Sequence, residues 1–147
     1  MYDPLKSTSL FVREMQQKSE NSNFTTVIGI PREKDESERR LALTPETVAL
    51  LVSAGYRVLL EAGAGLTINY SDRYYAESGA EIRENAREVF QADLILKIMP
   101  PTEEEVEMMR PRSTVFSFLY LHKLSSSLLE LMAEKRINAL AYELLND

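Results

Sequence analysis

Few side chains in this sequence are equipped for chemistry, and they are widely spaced. Arg39 and Arg40 stand together at the end of a charged loop, PREKDESERR. Lys97 interrupts an apolar run, DLILKIMPP, and His122, the only histidine, follows an aromatic-rich run, STVFSFLYL. A guanidinium stays charged at any working pH and offers two parallel N–H donors, which suits it to a carboxylate. The competing use of Arg40 is a surface salt bridge to Glu36 or Glu38. An ammonium on an apolar strand is unfavourable unless it reaches a partner or a ligand. Lys97 therefore has two equal readings, a functional one and one in which it snorkels or pairs with a structural carboxylate. Tyr70, Tyr74 and Tyr75 form a cluster that could stack on a ligand, although aromatic packing with the hydroxyl at the surface is the preferred use. With no cysteine and one histidine, the sequence offers no thiolate or histidine-based metal site, and nothing marks an oxidising compartment.

Composition narrows the possible partners. At 147 residues and 44% hydrophobic content the chain can bury one core but hardly two. A net charge of −6 repels phosphate backbones and anionic lipid, so neither nucleic acid nor membrane is expected as a partner. No apolar run approaches the roughly 20 residues that span a bilayer. The N-terminus lacks a signal-peptide pattern, and the expected location is cytoplasmic.

The elements that must position these residues begin at Val27. A short strand stops at Ile30-Pro31, the charged loop follows, and Thr44 then caps a helix that has Pro45 at its first position. Val48, Leu51 and Val52 share a helix face, and Gly55 supplies the stop. The loop is pinned at both ends, which holds Arg39 and Arg40 between a strand C-terminus and a helix N-terminus, where open α/β folds place ligands. Arg57–Glu61 reads as the next strand. The following Gly63-Ala-Gly65 invites a dinucleotide reading, but Ile68 stands where the third glycine belongs, so a plain turn is preferred. A short helix, DRYYAESG, a strand over residues 80–82 and a helix capped by Asn85 come next.

Residues 93–99 read as a central strand, with Ile95, Lys97 and Met99 on one side and Leu94, Leu96 and Ile98 on the other. Residues 102–109 form a capped helix whose acidic run is a solvated face. Residues 113–121 form the next strand, on which Tyr120 and His122 share a side if the strand runs that far. An amphipathic helix over 125–136 turns Leu128, Leu129, Leu131 and Met132 inward, and a last strand spans 138–144. Strands alternate with helices from residue 26 onward. The expected fold is α/β: three layers, with a mainly parallel Rossmann-like or flavodoxin-like sheet and helices on both faces. Residues 1–25 are expected to be an arm outside this domain of residues 26–147.

In order and spacing, IGIPRE, ERRLALTPETV, VLLEAGAGL, SDRYYAESGAEI, ADLILKI, TVFSFLYLH and INALAYE resemble the N-terminal lobe of the alanine dehydrogenase and nicotinamide nucleotide transhydrogenase family. The resemblance covers about residues 26–144. It implies a two-lobed, commonly oligomeric protein in which this lobe carries substrate contacts and a following Rossmann lobe, absent from this sequence, binds NAD. On that reading the lobe alone is inactive.

The resemblance also assigns roles. The family arginine that binds the substrate carboxylate falls on Arg40. Of two family lysines with one residue between them, the first falls on Lys97 and the second, which contacts substrate, on Met99. The catalytic histidine falls on Tyr120, with His122 two residues further on. Methionine moves no proton, and tyrosine, with an ordinary pKa near 10, is a poor base at neutral pH. Lys97 and His122 could substitute only across an offset of roughly 6–7 Å. Two enzymatic readings follow for a small carboxylic acid substrate lobe: an alanine-dehydrogenase-like one, and a transhydrogenase-like one in which hydride passes between nicotinamides and no substrate proton is handled. A non-catalytic metabolite-binding relative is a third.

Overall fold

A computed structural model of the protein describes residues 25–145. The expected arm, Thr25 apart, lies outside the described residues. Six strands, β1 (Val27–Ile30), β2 (Arg57–Glu61), β3 (Glu81–Arg83), β4 (Leu94–Leu96), β5 (Thr114–Ser117) and β6 (Asn138–Ala141), form one sheet in the order β3-β2-β1-β4-β5-β6. Every pairing is parallel. Five α-helices connect them: α1 (Pro45–Ser53), α2 (Asp72–Glu77), α3 (Ala86–Phe90), α4 (Glu103–Met108) and α5 (Ser126–Glu134). The α/β, three-layer expectation holds.

Strand alternation sorts the core. Ile28, Ile30, Val58, Leu60, Leu94 and Leu96 face one side and pack with Val48 and Leu51 of α1 and Tyr75 of α2. Ile95 and Val115 face the other and pack with Phe90 of α3, Val106 of α4, and Leu128 and Met132 of α5. The helices change faces after β3, where the chain returns to the far side of β1, and the neighbours β1 and β4 therefore flank a topological switch point. Gly29 lets the layers close there. A Cβ at this position would lie 2.4 Å from the Val89 carbonyl oxygen, so α3 rests directly on β1.

The local signals behave as their chemistry requires. Thr44 accepts from the Thr47 amide with Pro45 behind it, and Asn85 accepts from the Arg87 amide. Gly55 adopts φ +98° at the stop of α1. Several expectations need correction. The strand expected over 113–121 ends at Ser117, because Tyr120 takes a left-handed backbone (φ 46°, ψ 56°) and residues 121–123 form a 3-10 turn. Tyr120 and His122 therefore do not share a strand face. The last strand likewise stops at Ala141, and Tyr142–Leu144 form another 3-10 turn. The acidic helix is not wholly solvated, since Glu105 is buried, and on α5 Leu129 faces solvent. The hydroxyl of Tyr75 is not at the surface either; it donates to the Leu43 carbonyl at 2.9 Å, and burial pushes its pKa up to about 12.

Candidate functional site

The loop after β1 and the loop after β4 meet at the switch point, and Glu33 ties them together. Its Oε1 accepts from the Ile98 amide at 2.6 Å, while its Oε2 accepts from the Met99 amide at 3.4 Å and from Lys97 Nζ at 3.2 Å. Lys97 lies on the Ile95 side of the sheet, as alternation requires, and its ammonium also stands 3.1 Å from Glu105 Oε2. The three side chains are 5% exposed or less. Glu105 is itself fixed by a capping box: its carboxylate accepts from the Thr102 amide, and the Thr102 hydroxyl accepts from the Glu105 amide. The lysine therefore reaches two structural carboxylates. Met99 lies beside it, lining a recess of about 180 Å³ with Lys97, Glu33 and Glu105.

Arg40 is held differently. Glu38 Oε1 accepts from the Arg40 backbone amide at 2.8 Å and from Nε at 2.9 Å, and Oε2 accepts from Nη2 at 2.8 Å. The Arg40 side chain stays 61% exposed while that of Glu38 is 8% exposed. These bonds from Arg40 hold the Glu38 carboxyl below its ordinary range, and those to Glu38 raise the guanidinium above its own. The anticipated salt bridge to Glu38 thus exists, and the guanidinium nonetheless sits over the C-terminal ends of the strands, with its Cζ 5.7 Å from the centroid of the Phe118 ring. Tyr120 stacks on that same ring (5.6 Å, 8° between planes).

Glu143 sets the backbone under this aromatic pair. Its Oε1 accepts from the amides of Leu119 (3.0 Å) and Tyr120 (2.8 Å), so a carboxylate caps the two residues at which the β5 direction is lost. Burial works to raise the Glu143 carboxyl, but its own amide, those of Leu119 and Tyr120, and the nearby His122 together carry it below the ordinary range. His122 is exposed on the following turn. Arg40, Phe118 and Tyr120 come together; Lys97 and Met99 are drawn to Glu33 on the other strand loop, and His122 projects into solvent.

Over residues 29–147 the sequence matches the family described as "Alanine dehydrogenase/PNT, N-terminal domain". The chain belongs to this family. Alanine dehydrogenase of Bacillus subtilis (strain 168) is 36% identical over 121 residues, 82% of this chain and 32% of that protein. NAD(P) transhydrogenase subunit alpha of Haemophilus influenzae is also 36% identical, over 117 residues, 80% of this chain and 22% of that subunit. Among solved structures, an L-alanine dehydrogenase superposes with a TM-score of 0.76 at 30% identity, over 80% of this chain and 32% of the other. A transhydrogenase from Sinorhizobium meliloti gives the same TM-score of 0.76 at 31% identity, over 82% and 36%. The chain thus spans roughly a third or less of these relatives, and it is as similar to one branch as to the other.

Family membership raises the question of a nicotinamide nucleotide, and the described residues do not fit one. After Gly63-Ala-Gly65 the chain makes a 3-10 turn, Leu66–Ile68, instead of opening an α-helix whose amides could meet a pyrophosphate. Gly65 is occupied by packing: a Cβ there would lie 2.5 Å from the Tyr75 ring and 2.6 Å from the Tyr70 carbonyl oxygen. The adjoining recess, of about 670 Å³, is lined by Glu33, Asp35, Glu36, Glu38, Glu61 and Glu105, with Arg32 and Lys34 as its cations. Such a wall repels phosphate, and neither Arg40 nor Tyr120 lines it.

Glu33, Glu38, Glu105 and Glu143 carry the site's geometry, and of these the sequence points only to Glu38, as a competing partner of Arg40. Thr102-x-x-Glu105 does signal a capping box, and Glu38 stands two residues from Arg40. Nothing local marks the long-range bonds of Glu33 or Glu143.

Proposed function

We propose that this chain is the substrate-binding lobe of a nicotinamide-dependent oxidoreductase of the alanine dehydrogenase type, in which L-alanine, NAD⁺ and water give pyruvate, ammonium, NADH and a proton. The nucleotide is expected on a second lobe, and a homo-oligomer is the expected working form. The observation that carries this reading is the position of Arg40: an exposed guanidinium at the carboxyl ends of the strands, held over Phe118 and beside Tyr120. A small carboxylate arriving at the cleft meets a planar, permanently charged donor with an aromatic wall next to it. Lys97 acts in this proposal by fixing the loop that carries Met99, Tyr120 extends the aromatic wall formed by Phe118, and His122 is left to solvent.

A second reading is favoured by a specific observation. The Lys97 ammonium is held by Glu33 and Glu105, and on the resemblance Met99 and Tyr120 fall where the family has its substrate lysine and catalytic histidine, so the groups that would handle substrate protons are replaced or engaged. Hydride passage between two nicotinamides requires no such groups, so a transhydrogenase-like lobe accommodates these residues without loss. The deciding experiment assays the protein together with its nucleotide-binding lobe, for alanine deamination with NAD and for transhydrogenation between NADPH and an NAD analogue. Turnover of alanine that falls in Arg40→Lys supports the first reading. Transhydrogenation without alanine turnover selects the second, and neither activity overturns both.

A further inference from the structure

The bonds between Glu38 and Arg40 use one particular edge of the guanidinium. Nε and Nη2, the side-on edge, both donate to Glu38, which also takes the Arg40 backbone amide. Among the described residues Nη1 has no hydrogen-bond partner, so the end-on edge, Nη1 with the second proton of Nη2, remains available. A guanidinium can serve two carboxylates at once, one on each edge, because its five N–H donors lie in one plane. Glu38 is nearly buried and Arg40 is largely exposed. The carboxylate thus anchors the arginine from the protein side, and the Phe118 ring restricts the guanidinium from another direction.

We infer that Glu38 is a positioning residue for Arg40: it holds the side-on edge so that the end-on edge is presented to the carboxylate of an α-keto or α-amino acid. This rests on the substrate-binding role of Arg40 proposed above and adds what orients it. A long, flexible side chain at a loop would otherwise lose rotamer freedom when it binds, and a guanidinium fixed beforehand avoids that loss. The opposite possibility has a different signature. If Glu38 were a competitor mimicking the substrate carboxylate, ligand would have to expel it, and its removal would tighten binding.

Pyruvate is titrated into the protein and its affinity measured for wild type, Glu38→Gln, Glu38→Asp and Arg40→Lys, while the Arg40 Nε–H resonance is followed by NMR. Glu38→Gln is expected to weaken binding roughly tenfold, the scale of losing charge-assisted bonds that organise a site. Glu38→Asp, which keeps the charge with a shorter reach, should lie between. At saturating pyruvate the wild-type Nε–H resonance should remain in its hydrogen-bonded position while the Nη resonances move. Unchanged or tighter binding in Glu38→Gln, or release of the Nε–H on pyruvate binding, would overturn the inference. The wild-type resonance decides the matter even if the Gln variant unfolds. Unchanged affinity in Arg40→Lys would instead remove the substrate role of Arg40 itself, so the two failures are distinguishable.

Discussion

Lys97 Nζ lies 3.2 Å from Glu33 Oε2 across the switch point of the sheet, with the two side chains 1% and 5% exposed. One ammonium thereby joins the strand loops on either side of the crevice, and Glu105 meets it from α4. Removing one partner of a buried ion pair is costly because it strands the others without compensation. Lys97→Met should lower stability by about 3–5 kcal/mol, read from urea unfolding. Adding Glu105→Gln should restore part of the loss. Equal stability of wild type and Lys97→Met would remove the ion pair from any structural role.

Gly29 offers a test of how closely the layers approach. A methyl group there would meet the Val89 carbonyl oxygen, which is backbone and cannot rotate away. Gly29→Ala should cost about 1–3 kcal/mol, as overpacking does, and lower the thermal midpoint. Gly55→Ala, where a Cβ meets nothing within 4 Å, isolates the contribution of positive φ alone.

Glu143 has a folded-state carboxyl below its ordinary range. Its stabilising contribution is therefore present above the unfolded value, about 4.3, and is lost as pH falls through the lower folded value. The difference in urea midpoint between wild type and Glu143→Gln should be constant near neutrality and close progressively below about pH 4.3. A difference that persisted unchanged in acid would rule out the charge on Glu143 as its source.

Tyr75 and Tyr142 are both pushed up to about 12 by burial, with the charge of Glu33 adding to the effect at Tyr142. In an alkaline absorbance titration these two phenols should ionise after the exposed tyrosines. Tyr75→Phe should remove about half of the late step, leaving that of Tyr142, and cost about 1–2 kcal/mol through the lost bond to Leu43.

Met99→Lys combined with Tyr120→His, made in the protein with its nucleotide-binding lobe, tests which branch the cleft serves. A rise in alanine turnover is expected if the cleft otherwise retains the dehydrogenase arrangement. No rise, with transhydrogenation intact, would place the cleft in the other branch.

Much of the fold was legible because its causes are local. Thr44-Pro45, Asn85 and Thr102 mark helix starts, Gly55 marks a stop, and apolar alternation over Leu94–Leu96 put Lys97 on its observed side. What failed depended on distant partners. Nothing in STVFSFLYLH says that a carboxylate 24 residues away takes the Leu119 amide, so alternation alone extends the strand four residues too far and puts His122 with Tyr120. The acidic run of α4 looks solvated because the capping-box spacing marks Glu105 but does not bury it; its burial comes with the distant Lys97. Arg40 is legible from its pinned loop, whereas the edge it presents depends on Glu38, which the sequence alone offers only as a competing partner.

The Glu33–Lys97 contact also joins distant parts of the polypeptide. Glu33 is synthesised 64 residues before Lys97, and in that interval β1, β2 and β3 can assemble as half a sheet. Its bond to Lys97 needs the residue that follows β4, so the floor of the crevice is a contact of high sequence separation that forms only when both halves of the sheet are brought together.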